Sequence, residues 1–163
     1  MADELVEEIR KLARTAFAGL PADDYRGYAL YSDDSAMTVC CAANTRAHLA
    51  RVQGADPEDA EYYRWSPGEW ALEGVAGDLF KPLCARLRHS ALAGVDQRAE
   101  VYEACVAALE SLVAEGAFGD GAAVVFAVSD TDDVGRDIGW LNRLNPPDLA
   151  AEHARWRASV GKG

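Results

Sequence analysis

Leu5, Ile9, Leu12, Ala16 and Leu20 recur at helical spacing, and Val6, Ala13 and Phe17 widen the stripe, so the chain begins with an amphipathic helix. Pro21 stops it. The run YALYSDDSAMTVCCAANT changes the period: two β-type segments flank Ser32-Asp33-Asp34-Ser35, which predicts a hairpin with a polar turn. Asn44 is placed to cap a short helix carrying Leu49 and Val52, closed by Gly54. ADPEDAE reads as a loop and Glu61 to Trp65 as a third strand. Pro82 to about Leu92 predicts another helix, and Asp96 to Glu115 the longest, ended by Gly116. AAVVFAVSD is almost wholly apolar and predicts a buried strand at the centre of the sheet. Val134, Ile138 and Leu141 mark a helix ending near Leu144. Asn145-Pro146-Pro147-Asp148 then starts the last helix, with Asn145 as its cap.

This order predicts an α+β fold: a small, mainly antiparallel sheet of about four strands, in a single layer backed by helices. The 163 residues suit one domain, 1–158, with a C-terminal tail at 159–163. There is no internal repeat, no signal-peptide pattern and no apolar run long enough for a membrane helix. The four cysteines include the adjacent pair Cys40 and Cys41 and lack metal-ligand spacing, which suits reduced thiols in a cytoplasmic protein. A formal net charge of −11 argues against nucleic acid and anionic membranes as partners and permits a basic protein.

The stretch YYRWSPGEWALEG concentrates aromatic and charged side chains. Ser66 as a helix N-cap puts Pro67 at the first helical position and Glu69 at the third, the spacing of a capping box; Trp65 and Trp70 then take the spacing of a hydrophobic staple. The same junction offers Arg64, Trp65 and Trp70 as the lining of a cleft.

Four segments in this order and spacing, YALYSDDSAMTVCCAANT, RWSPGEWALEG, VVFAVSD and RLNP, resemble the bacterial domain-of-unknown-function family 4303 over nearly the whole chain. RWSPGEW is the most specific of them. The resemblance implies a stand-alone bacterial cytoplasmic α+β protein and brings no catalytic residues with it. A more distant similarity, in fold style and acidity alone, is to the Smi1/Knr4-like immunity proteins that neutralise toxins.

No nucleophile elbow, phosphate loop, dinucleotide fingerprint or zinc-ligand spacing is present, and His48, His89 and His153 stand apart. No cofactor is implied. Two acidic groups remain. Asp33 and Asp34 in the hairpin turn, with Asp130, Asp132 and Asp133 after the apolar strand, offer carboxylates for a hard cation if the loops meet, although Asp is also favoured in turns and caps. Asp96, Glu100, Glu103 and Glu110 form one face of the long helix, opposite Tyr102, Val106, Leu109, Leu112 and Val113. Two functions follow. The first is a non-enzymatic protein-binding module, in its most concrete form an immunity protein whose acidic helix face blocks a basic toxin. The second is a small metal-dependent hydrolase or transferase built on the aspartate loops.

Overall fold

The N-terminal stripe forms α1 (Ala2–Ala18), which buries Ile9, Ala13, Ala16 and Phe17. A computed structural model describes residues 2–129 and 133–160. After α1 come β1 (Tyr25–Ser32), β2 (Cys40–Thr45), α2 (Arg46–Ala55), α3 (Ala60–Trp65), β3 (Leu72–Glu73) and α4 (Gly77–Leu92). Then follow α5 (Arg98–Ala114), β4 (Ala123–Val128), α6 (Val134–Leu144) and α7 (Pro147–Val160). α7 thus runs past the expected domain end at 158, and residues 161–163 of the expected tail lie outside the described residues.

The fold is α+β, with a single four-stranded sheet in the order β3-β2-β1-β4. β1 and β2 form the expected antiparallel hairpin, but β4 runs parallel to β1, so the sheet is mixed. The register puts Tyr28, Leu30, Cys41, Val124 and Phe126 on one face, where α1 and α5 pack: Phe17 meets Tyr28 edge-on at 5.3 Å and Tyr102 lies 5.8 Å from Phe126. On the other face lie Gly27, Ala29 and Val125, and Trp70 covers Gly27. A Cβ on Gly27 would sit 2.9 Å from the Trp70 ring, which is itself pinned by donating its indole N–H to the Tyr63 carbonyl (3.1 Å).

β4 is an edge strand, not the central one, and its burial comes from helices rather than from a second neighbouring strand. The first outward position on its open side is closed by one side chain. Asn145 donates to the Val124 carbonyl (2.8 Å) and accepts from the Val124 N–H (2.9 Å), as a neighbouring strand would, and it donates a further bond to the Leu141 carbonyl (3.1 Å). The predicted cap of α7 is therefore a sheet-edge residue, because its amide satisfies more buried groups there than at a helix start.

Other local expectations change for similar reasons. Glu61–Trp65 is helical: Tyr63 and Trp65 turn inward while Glu61 stays in solvent, and a five-residue stretch with three aromatics fits either state by pattern alone. Thr45, not Asn44, caps α2 through the His48 N–H (3.1 Å); Asn44 is buried in β2, where its Oδ1 accepts from the Ala71 N–H. α4 begins at Gly77, which places Pro82 in its second turn. Ser66 does precede a turn with Pro67 at its first position, but that turn is a single 3-10 turn, Pro67–Glu69, with no side-chain cap. Glu69 accepts from the Tyr62 hydroxyl instead of reaching back (3.0 Å), and Trp70 is extended, directed at Gly27 rather than stapled to Trp65.

Replacing Asn145 by Ala leaves a buried N–H and a buried C=O of Val124 unpaired and should cost about 2–4 kcal/mol in urea unfolding. Gly27→Ala should cost about 1–3 kcal/mol by overpacking against Trp70. A change in the urea midpoint within the noise of a surface substitution would contradict either assignment.

Candidate functional site

α5 carries Glu100, Glu103 and Glu110 exposed, with Val101, Tyr102, Cys105, Val106, Leu109 and Leu112 buried; Val113, expected among the buried ones, is exposed, and Asp96, expected on the acidic face, precedes the helix, which begins only at Arg98. Three of the four acidic residues are already matched within the protein. Arg143 of α6 reaches across to hold Glu103 through two bonds of 2.8 Å and Glu110 at 3.1 Å. Arg98 holds Asp96 at 2.8 Å and, by hydrogen bonding, draws its carboxyl down to about 2. Glu100 has no cationic partner among the described residues. It borders a cleft of about 440 Å³ between α1, α4 and α5, whose floor is Leu5, Leu83, Leu87 and Val101 and whose rim includes Glu4 and Glu8. Arg86 on that rim is bonded to Glu8 (2.6 Å), and the exposed Val95 adds an apolar shoulder. The α1 carboxylates were not singled out by sequence. Their convergence with Glu100 depends on the packing of α1 against α5, which no local spacing encodes.

Asp33 and Asp133 serve turn and cap roles. Asp33 accepts from the Ser35 and Met37 N–H groups and from the Thr38 hydroxyl (2.7 Å), and these bonds hold its carboxyl below the ordinary range against the opposing effect of burial. Asp133 caps α6 by accepting from the Arg136 N–H (3.0 Å). Asp34 is exposed in the hairpin turn, and Asp130 and Asp132 lie outside the described residues, as does Thr131. Among the described residues no group of three metal-ligating side chains converges. The cysteines are free, and burial raises the thiols of Cys40, Cys41 and Cys105, which leaves them poor nucleophiles.

The junction after α3 does line a cavity, though not with the trio expected. Trp65 is on its wall. Trp70 lies over Gly27, and Arg64 turns to a separate depression with Arg26 and Arg46, ion-paired to Glu152 at 3.4 Å. The Trp65 cavity holds about 240 Å³. Val125 and Ala127 of β4 form its floor, Pro67 and Gly68 one wall, and His153, Trp156 and Arg157 of α7 another. Asp137 of α6 also lines it, paired to Arg157 (3.1 Å) and Arg136 (3.5 Å), yet burial dominates and raises its carboxyl. His153 packs edge-on against Trp65 (5.1 Å) and Trp156 (5.8 Å). Burial, then the nearby Arg157, brings its imidazole down to about 4, so it is neutral at pH 7. His153, Trp156 and Arg157 recur at i, i+3 and i+4 on one helical face, the one sequence signal that would have grouped them.

Because the unfolded chain protonates His153 near 6.5 and the folded one near 4, the unfolded state binds more protons between these values. Stability from this group is therefore complete above about pH 6.5 and is lost as pH falls towards 4, on the order of 3 kcal/mol in all. Asp137, shifted the other way, offsets part of the loss at the acidic end. Urea midpoints from pH 7.5 to 4.5 should show this slope, and His153→Gln should flatten it; an unchanged slope in the variant would place the titration elsewhere.

Among the described residues, no helix is long and apolar enough to cross a membrane. No curated protein and no solved structure matches the chain. One family model does, over residues 5–146, from the first buried turn of α1 to the residue after Asn145. The chain belongs to the family described as Domain of unknown function (DUF4303).

Proposed function

We propose that the protein is a non-enzymatic binding module that docks a basic, partly apolar segment of another protein in the cleft between α1, α4 and α5. The observation that carries this reading is Glu100, which has no cationic partner among the described residues and stands beside Glu4 and Glu8 on the rim of an apolar floor. A lysine or arginine that lays its aliphatic stem on Leu83 and Leu87 would bring its charge to Glu100. The remaining negative charge of the surface, part of a net −11, would speed the approach of a basic partner and discourage acidic ones. The immunity-type form of this function, neutralising a basic toxin in a bacterial cytoplasm, is its most concrete case. It shifts the contact from the middle of α5, where Arg143 occupies Glu103 and Glu110, to the α5 N-terminal half.

A synthetic peptide of alternating lysine and leucine tests the docking chemistry. Amide shifts on titration should saturate and cluster on the facing sides of α1, α4 and α5. Glu100→Lys and Val95→Asp should each weaken binding at least tenfold, whereas Glu103→Gln, beside Arg143, should change it little. Association should slow as salt rises, since exposed charges are screened beyond roughly 8–10 Å. Shifts scattered over the whole acidic surface, or indifference to Glu100→Lys, would sink the reading.

A further inference from the structure

The cavity between β4, α3, α6 and α7 is lined by residues with polar atoms that have no partner among the described residues. The Trp65 indole N–H and the His153 Nδ1 are buried and make no hydrogen bond among the described residues, although both residues line the cavity and are less than a tenth exposed. Buried polar atoms of this kind are uncommon because each forfeits its hydration for nothing in return.

A further pair of groups follows from the strand's period. Val124 turns its N–H and C=O away from β1 towards Asn145, and Ser129, of opposite parity, donates its N–H back to the Ser32 carbonyl. Phe126, two residues beyond Val124, therefore directs its own N–H and C=O to the open edge, on the side where it lines the cavity. Its side chain meanwhile packs on Tyr102 and Trp140. Asn145 shows what such a pair accepts: a planar amide, one donor and one acceptor side by side.

We propose that this cavity binds a small, uncharged, planar ligand with an amide-like edge, which pairs with the Phe126 backbone as Asn145 pairs with Val124. The Trp65 N–H, unpartnered among the described residues, offers a second donor for the ligand's acceptor. The aromatic faces of Trp65, Trp156 and His153 suit a flat ring. The charged groups on the wall are already engaged with one another, Asp137 with Arg136 and Arg157, and His153 is neutral, so the recognition proposed is by the amide edge and not by charge. The volume, about 240 Å³, falls below the roughly 300–1,000 Å³ of drug-sized pockets and limits the ligand to about one ring system. An extended peptide added to the β4 edge is disfavoured because Asn145 already occupies the preceding pairing position.

Nicotinamide is a suitable probe, with nicotinate and pyridine as ring-matched compounds that lack the amide. In the full-length protein, nicotinamide should saturably shift the Phe126 amide proton and the Trp65 indole proton downfield. Nicotinate and pyridine should bind at least tenfold more weakly. Trp65→Phe, which keeps the ring and removes the donor, should weaken nicotinamide about tenfold. Should that variant fold poorly, Ala127→Leu, which fills the cavity floor, should abolish the shifts while α1, α4 and α5 resonances stay in place. The proposal is overturned if the two protons do not move, if nicotinate moves them equally, or if they exchange only with ordered water. These readouts lie apart from the α1/α4/α5 cleft, so either site can fail without the other.

Discussion

The bidentate pairing of Asn145 with Val124 is the contact on which the rest of the architecture leans. β4 joins β1 in parallel and so can have no tight hairpin to hold it, and with β1 on one side only it exposes a row of amides and carbonyls. One asparagine, at the joint between α6 and α7, satisfies the first outward position of that row and ties both helices to the sheet edge. The angle at which α6 and α7 leave this joint sets the distance of His153 and Trp156 from Trp65. The cavity is a by-product of how the edge is closed.

The two candidate sites differ in chemistry because they lie on different layers. On the α1/α5 side, charges are numerous, exposed and mostly matched by arginines, so their individual contribution to stability is small and their value lies in the field they create. On the α3/α7 side, polar groups are few and buried, and each one lacking a partner matters. Arg143 connects the layers: it grips α5 from α6, two residues before Asn145 begins its hold on β4.

Long-period patterns were legible in the sequence, and cross-chain partnerships were not. The stripe of α1, the β1–β2 hairpin, the apolar run of β4 and the helix ended by Gly116 were each expected from residues close together in the chain. Glu61–Trp65 misled because aromatic side chains suit a strand locally, while the burial of Trp65 against His153 favours the helix. Asn145 before Pro146 carries every mark of a helix cap, and only the arrival of β4 gives its amide a better use. RWSPGEW was informative about position but not about contacts: it does border a cavity through Trp65, whereas Trp70 and Glu69 are spent on Gly27 and Tyr62. The acidic face of α5 was visible on a wheel; Arg143, which pairs with Glu103 and Glu110, belongs to another helix and was invisible there.

The parallel seam between β1 and β4 also dictates an order of assembly. The β1–β2 hairpin is local and can form as soon as its own residues are free, but its β1 edge then waits for a strand from the far half of the chain. During synthesis that waiting edge is a flat, apolar template, open to pairing with another nascent copy. α1 and α5 can shield the face but not the edge. Only when residue 145 has emerged can β4 be held in place, which makes the last fifth of the chain a latch on the first third and gives the protein a vulnerable interval before the latch closes.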